Sequence, residues 1–203
     1  MLLIAPVPFI ASLSFITPVP FITWIVLTTC WCAWAYPFIF RAPHNQKRPS
    51  ITLTAPTRAG LLLESLAIFI AFACRPASAE PPGALRLVAC VLLGATAGIL
   101  SWTSVTHLGR QFRVNAGLYE DHQLVRTGPY AIVRHPIYSS LFAILLSTIC
   151  VLTRWNWAIG SIALFVAGTE IRVHAEDRLL ASRFGEAFAS YQSQVPAYVP
   201  FLR

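Results

Sequence analysis

Eight side chains capable of acid–base or electrostatic chemistry sit in two short stretches of an otherwise apolar sequence. Arg134, His135 and Tyr138 form the first group; Glu170, Arg172, His174, Glu176 and Asp177 form the second. Their chemistries are complementary. An arginine grips a carboxylate through two parallel N–H bonds, a glutamate accepts from hydroxyl or amino groups, and a histidine holds or moves a proton near neutral pH. Counting 18 residues out from Arg154 in each direction reaches Pro136 and Arg172, a rise of roughly 27 Å or one hydrocarbon thickness. A turn at Thr153, Arg154, Trp155 and Asn156 would make the two apolar segments antiparallel neighbours and return both polar groups to one depth. Each residue also has an ordinary explanation: Arg134 can snorkel, His135 before Pro136 is a common helix start, and Arg172 and Glu176 at i, i+4 can pair with each other. Convergence at one depth favours a site.

The composition dictates what positions these residues. Of 203 residues, 56% are hydrophobic and 11% charged, with a mean hydropathy of +0.63, which disfavours both an ordinary soluble domain and a disordered chain. Five membrane crossings would take about 100 residues, leaving too few for a separate catalytic domain. The expected fold is all-α: an integral membrane bundle of about five transmembrane helices. Spans fall near 20–40, 59–74, which contains Glu64, and 84–106, where Gly94-x-x-x-Gly98 invites a close helix contact. Residues 1–106 thus make an N-terminal transmembrane part. Residues 107–203 divide into a polar loop, 107–135, a helical hairpin, 136–172, and an amphipathic tail, 173–203, in which Leu180, Phe184, Phe188 and Tyr191 share a face. Residues 1–19, with Pro6, Pro8 and Pro18, read as a kinked or re-entrant lead-in, and PVPFI occurs at both 6–10 and 18–22.

The net charge of +7 is a statement about topology. Twelve of the 15 cations lie in 41–58, in 107–135 and from 172 onward, leaving Arg75, Arg86 and Arg154 for the other face. Five spans put the three basic segments on one side, the cytoplasmic one by the positive-inside rule, and no nucleic-acid partner is expected. Cys30, Cys32, Cys74, Cys90 and Cys150 are odd in number and lie in or beside apolar runs. They read as reduced thiols rather than a disulfide or metal framework, and no metal is expected.

His122-Gln-Leu-Val125, Thr127-Gly-Pro-Tyr130, Arg134-His-Pro-Ile-Tyr138, Arg172-x-x-x-Glu176-Asp177-x-x-Leu180 and Phe184-Gly185-Glu186, ending at Tyr191 and a proline-containing terminus, together resemble the segment shared by isoprenylcysteine carboxyl methyltransferases and related membrane methyltransferases. The resemblance covers about residues 107–203. It implies an integral-membrane enzyme that uses S-adenosylmethionine to methylate a carboxylate, in the best-known case that of a prenylated cysteine, with membrane lipid as its surroundings. Carried over, His122, Gln123, Leu124, Val125, Tyr130, His135, Pro136, Ile137, Tyr138 and Glu176 would hold the cofactor, with Asn115 as a weaker addition. Arg172 falls where the acceptor is bound, and Arg172 and Glu176 form the catalytic pair. The sequence departs from the pattern at Asp177, where a second glutamate is common, at Ser139, where glycine is common, and at Asn115, which replaces a glutamine.

A carboxylate is already a competent nucleophile toward a sulfonium methyl, so alignment and desolvation suffice and no general base is needed. The helix start at Pro136 offers a place for the cofactor's own carboxylate. Three alternatives stand beside this reading. A methyltransferase for a phospholipid amine or small thiol would need a base, for which His135 and His174 are nearby. A sterol-type NADPH reductase shares an Arg-His-Pro-x-Tyr element, and a non-enzymatic membrane protein would use the charged cluster as an interface.

Overall fold

The computed structural model describes residues 19–41, 55–75, 81–109, 112 and 123–198, and among these the regular structure is entirely helical. Six helices follow in order: α1 (Phe21–Phe40), α2 (Ala55–Ala73), α3 (Ala84–Leu108), α4 (Pro136–Leu152), α5 (Trp155–Phe184) and α6 (Glu186–Gln194), with a 3₁₀ turn at Gly128–Ala131 before α4. Four of them, α1, α2, α3 and α5, are long and apolar enough to cross a membrane, and α4 is a shorter apolar helix of 17 residues. The chain is a multi-pass membrane protein.

Burial is inverted relative to a soluble domain, as a lipid-facing bundle requires. Phe21, Phe40, Leu62, Leu85, Leu92 and Ile99 point outward, whereas Gly60, Ala67, Ala71, Gly94, Ala97, Ser147 and Ser161 are buried. Small residues let backbones approach where lipid supplies no hydrophobic drive between helices. An alanine side chain at Gly94 would sit 2.3 Å from Cys30 Sγ, and one at Gly98 would meet Ala33. The partner of the Gly94-x-x-x-Gly98 face is therefore α1. Polar side chains inside the bundle are bonded across helices: Trp31 Nε1 donates to Thr148 Oγ1 at 3.1 Å, Trp34 Nε1 to Ser140 Oγ at 3.1 Å, and Ser161 Oγ to the Ala67 carbonyl at 2.8 Å.

The element boundaries move in four places. α2 starts at Ala55, which takes Arg58 out of the preceding loop and into the helix. α5 continues past Arg172 to Phe184, and the amphipathic tail is broken at Gly185, whose φ of +52° needs no Cβ, so that α6 turns back. Thr153 and Arg154 alone link α4 to α5. Although consecutive and antiparallel, these two helices pack chiefly on others, α4 on α3 and α5 on α2, and meet midway through the stacked rings of Phe142 and Phe165. The first PVPFI copy and Pro18 of the second lie outside the described residues; from Val19 the second leads into α1, with the Pro20 carbonyl accepting from Thr23 N at 2.9 Å. All five cysteines are free, with Cys32 facing outward.

Candidate active site

The start of α4 and the C-terminal half of α5 meet in a polar cluster built from both groups of residues. Glu176 and Asp177 are consecutive on α5 and straddle one histidine. His135 Nε2 lies 2.8 Å from Asp177 Oδ1, and Nδ1 lies 3.4 Å from Glu176 Oε2. Both ring nitrogens therefore face carboxylates, an arrangement that an imidazolium satisfies and a neutral ring cannot. Burial alone would push His135 down; Asp177 and Glu176 overrule it and raise its pKa to about 9. Asp177 in turn is held below the usual carboxylate range against the effect of burial, by His135 and by Arg134, whose Nη2 is 3.0 Å from Oδ2.

Tyr138, one turn into α4, donates to Glu176 Oε1 at 2.5 Å. Its ring also carries the Arg172 guanidinium, Cζ lying 4.8 Å from the centroid. Arg172 and Glu176 do not pair with each other as their spacing allows. Arg172 Nη1 instead reaches Glu64 Oε2 of α2 at 2.5 Å, while Thr169 Oγ1 donates to Glu64 Oε1 at 3.0 Å. The close crossing of α2 and α5 makes this possible. A Cβ at Gly60 would lie 2.6 Å from both Arg172 Cγ and the Gly168 carbonyl, so the arginine stem runs over a glycine to reach a carboxylate one turn further along α2. Glu64 is the residue that motif reasoning left without a role, although a charge inside a membrane span is itself a signal.

The segment after α6 closes over this cluster. Backbone N–H groups of Arg134 and His135 donate to the Pro196 and Ala197 carbonyls at 2.8 and 2.7 Å, and Ser139 Oγ donates to the Tyr198 carbonyl at 2.6 Å. Arg134 Nη1 donates to the carbonyls of Gln192 and Val195 at the end of α6, where the helix dipole favours a cation. Arg134 is thus buried structure, not a snorkelling surface charge. Ser139, which departs from the glycine pattern, fastens the tail.

The predicted cofactor residues divide accordingly. His135, Pro136, Tyr138 and Glu176 come together, with Ile137 half-buried between them; Tyr130 is buried on the 3₁₀ turn, and Gln123, Leu124 and Val125 lead into it. Gly128 sets that turn at φ +60°, with the His107 ring occupying the place of any Cβ. The hydroxyls of Tyr130 and Ser104 are both buried and face each other between the 3₁₀ turn and α3. Asn115 and His122 lie outside the described residues. Two expectations need correction. His174 is 68% exposed and bonded to Glu170 of its own helix, so it stands outside the cluster. The α4 start has few donors left for an anion: Pro136 has none, and the N–H groups of Tyr138 and Ser139 both go to the His135 carbonyl. His135, held protonated between two carboxylates, is a poor proton acceptor, so neither histidine named for the amine reading supplies the base it needs.

The chain is also similar to known proteins. Residues 87–182 match the family model described as isoprenylcysteine carboxyl methyltransferase. The chain is 30% identical over 120 residues to protein-S-isoprenylcysteine O-methyltransferase B of Arabidopsis thaliana, covering 59% of this chain and 58% of that protein. It is 33% identical over 84 residues to the Schizosaccharomyces pombe protein-S-isoprenylcysteine O-methyltransferase, covering 41% and 35% respectively. It is 30% identical over 128 residues to the Tribolium castaneum protein of the same name, covering 58% of this chain and 41% of that one. The matches thus span from about a third to nearly three-fifths of these relatives. Through residues 87–182, just under half of the chain, which hold α4, the turn before it and the carboxylate pair of α5, the chain is similar to the isoprenylcysteine carboxyl methyltransferase family.

Proposed function

We propose that this protein is an S-adenosylmethionine-dependent methyltransferase that esterifies the carboxylate of a lipophilic thioether acid, a prenylcysteine or close analogue, at the cytoplasmic face of the membrane. One observation carries the proposal. A half-buried arginine and a half-buried carboxylate, Arg172 and Glu176, are each fixed one turn apart against the same tyrosine, Tyr138, beside a bundle whose outer wall is apolar. Such a pair can hold an anionic acceptor and a cationic donor side by side without either charge being spent on the other.

The donor set suits this cofactor. Glu176 offers a carboxylate already ordered by Tyr138 and His135, able to accept further hydrogen bonds. Tyr130 and Ser104 place two buried hydroxyls on the adjoining wall, and Gln123 to Val125 would line the approach with backbone. When bound, S-adenosylmethionine supplies the sulfonium methyl group. The chain's own part would be to hold the acceptor carboxylate on Arg172 and to exclude water beneath the 195–198 segment; a carboxylate acceptor requires no proton removal.

Isothermal calorimetry with S-adenosylhomocysteine, followed by a methyl-transfer assay with N-acetyl-S-farnesylcysteine, tests the proposal on purified full-length protein. Binding of S-adenosylhomocysteine and formation of a base-labile methyl ester are expected. Arg172→Ala should lose turnover at least tenfold while keeping cofactor affinity, and Glu176→Ala should lose cofactor affinity itself. No binding of S-adenosylhomocysteine, or an alkali-stable product, would refute it.

A further inference from the structure

Glu64 lies outside the family-matched region, in the middle of a membrane span, only 2% exposed. A buried carboxylate there is costly unless fully bonded. It is fully engaged: Thr169 Oγ1 serves Oε1 and Arg172 Nη1 serves Oε2. The other side of the bargain is the arginine. Nη1 is taken by Glu64, one face of the guanidinium lies over the Tyr138 ring, and Nε is buried with no hydrogen-bond partner among the described residues. A guanidinium so held presents its Nε–Nη2 edge, which is the edge that a second carboxylate takes bidentately.

We propose that Glu64 is a positioning residue for Arg172: by holding Nη1 from across the α2–α5 crossing, it turns the Nε–Nη2 edge toward the acceptor carboxylate. The inference rests on the carboxyl-methylation reading above. The physical reason for such a device is Glu176. It lies four residues after Arg172 on the same helix, where an i, i+4 pair forms readily. An unrestrained Arg172 would turn onto Glu176 and consume both the acceptor site and the cofactor carboxylate in one ion pair. Glu64 keeps the two apart. Its negative charge adds no attraction for the acceptor, so its contribution is geometric and is read as discrimination and turnover rather than as cofactor affinity.

The test compares binding of N-acetyl-S-farnesylcysteine with that of its methyl ester, by calorimetry on the full-length detergent-purified protein, alongside methyl-transfer kinetics. Wild type is expected to prefer the acid at least tenfold. Glu64→Gln should cut that preference below threefold and lower kcat/KM for the acid at least tenfold, with S-adenosylhomocysteine affinity changed less than threefold. Glu64→Asp, which keeps the charge, and Thr169→Val, which removes one donor to Glu64, should fall between. In a double-mutant cycle, Glu64→Gln added to Arg172→Ala should cost nothing more. If wild type fails to distinguish acid from ester, the carboxylate reading and this inference fall together. If wild type distinguishes them and Glu64→Gln does so equally, or if the double variant is additive, Glu64 has no positioning role and the carboxylate reading stands.

Discussion

At the scale of single residues, the cluster is governed by protonation of His135. Its two ring nitrogens face Asp177 and Glu176 at 2.8 and 3.4 Å, and its pKa rises to about 9 in the fold from about 6.5 in an unfolded chain. A group raised on folding contributes stability that is fully present below its unfolded value and is lost as pH climbs through the folded one. The thermal midpoint should therefore be highest below about pH 6.5, decline progressively above that and level off above about pH 9, a loss on the order of 3 kcal/mol for this one group. Asp177 contributes the opposite limb: its lowered pKa means stability present above about pH 4 and lost as pH falls through the folded value. His135→Gln should lower the midpoint at neutral pH and abolish its dependence on pH between 6.5 and 9. Differential scanning fluorimetry of both proteins across that range checks this; an unchanged alkaline slope in His135→Gln would assign the transition to another group.

At the scale of elements, the site depends on how closely α2 and α5 approach. A Cβ on Gly168 would lie 2.6 Å from the Gly60 carbonyl and 3.1 Å from Glu64 Cγ, so Gly168→Ala forces the helices apart where Glu64 reaches Arg172. Overpacking of this kind costs about 1–3 kcal/mol. Gly168→Ala should lower the thermal midpoint and also reproduce the Glu64→Gln loss of acid-over-ester preference, measured by the same calorimetry. A fall in stability with discrimination intact would separate helix spacing from arginine placement. The helices themselves were legible because uninterrupted apolar runs and Pro136 mark them directly. So were His135, Tyr138 and Glu176, whose spacing around a short turn fixes their depth. Glu64 was visible as a lone charge, but its partner is 108 residues away, and no local period connects α2 to α5. The tail closure was hidden for a related reason. Pro196, Ala197 and Tyr198 contribute backbone carbonyls, and a carbonyl leaves no mark in the side-chain sequence.

At the scale of the whole molecule, charge is divided between two ends that do different work. Arg75 and Arg86 use Nε on the carbonyls of Phe72 and Cys150, close to the C-terminal ends of α2 and α4, where helix dipoles are negative. They neutralise helix ends and add little free positive charge to their face. At the other end, Arg134, His135 and Arg172 face Glu64, Glu176 and Asp177. With His135 protonated these six cancel, so on the proposed reading a cationic donor and an anionic acceptor would enter without net charge accumulating in a poorly solvated place. Cations outside this cluster, among them Arg178 on an exposed face of α5, would set orientation, and by the positive-inside rule we propose that this end lies in the cytoplasm. In a variant with the five native cysteines replaced by alanine or serine, Glu186→Cys on exposed α6 should react with a membrane-impermeant maleimide only in inside-out vesicles. Asn156→Cys, exposed at the α4–α5 turn, should react only in right-side-out ones. The reverse pattern would put the arginine-rich end outside and require a cofactor supply that the cytoplasm could not provide.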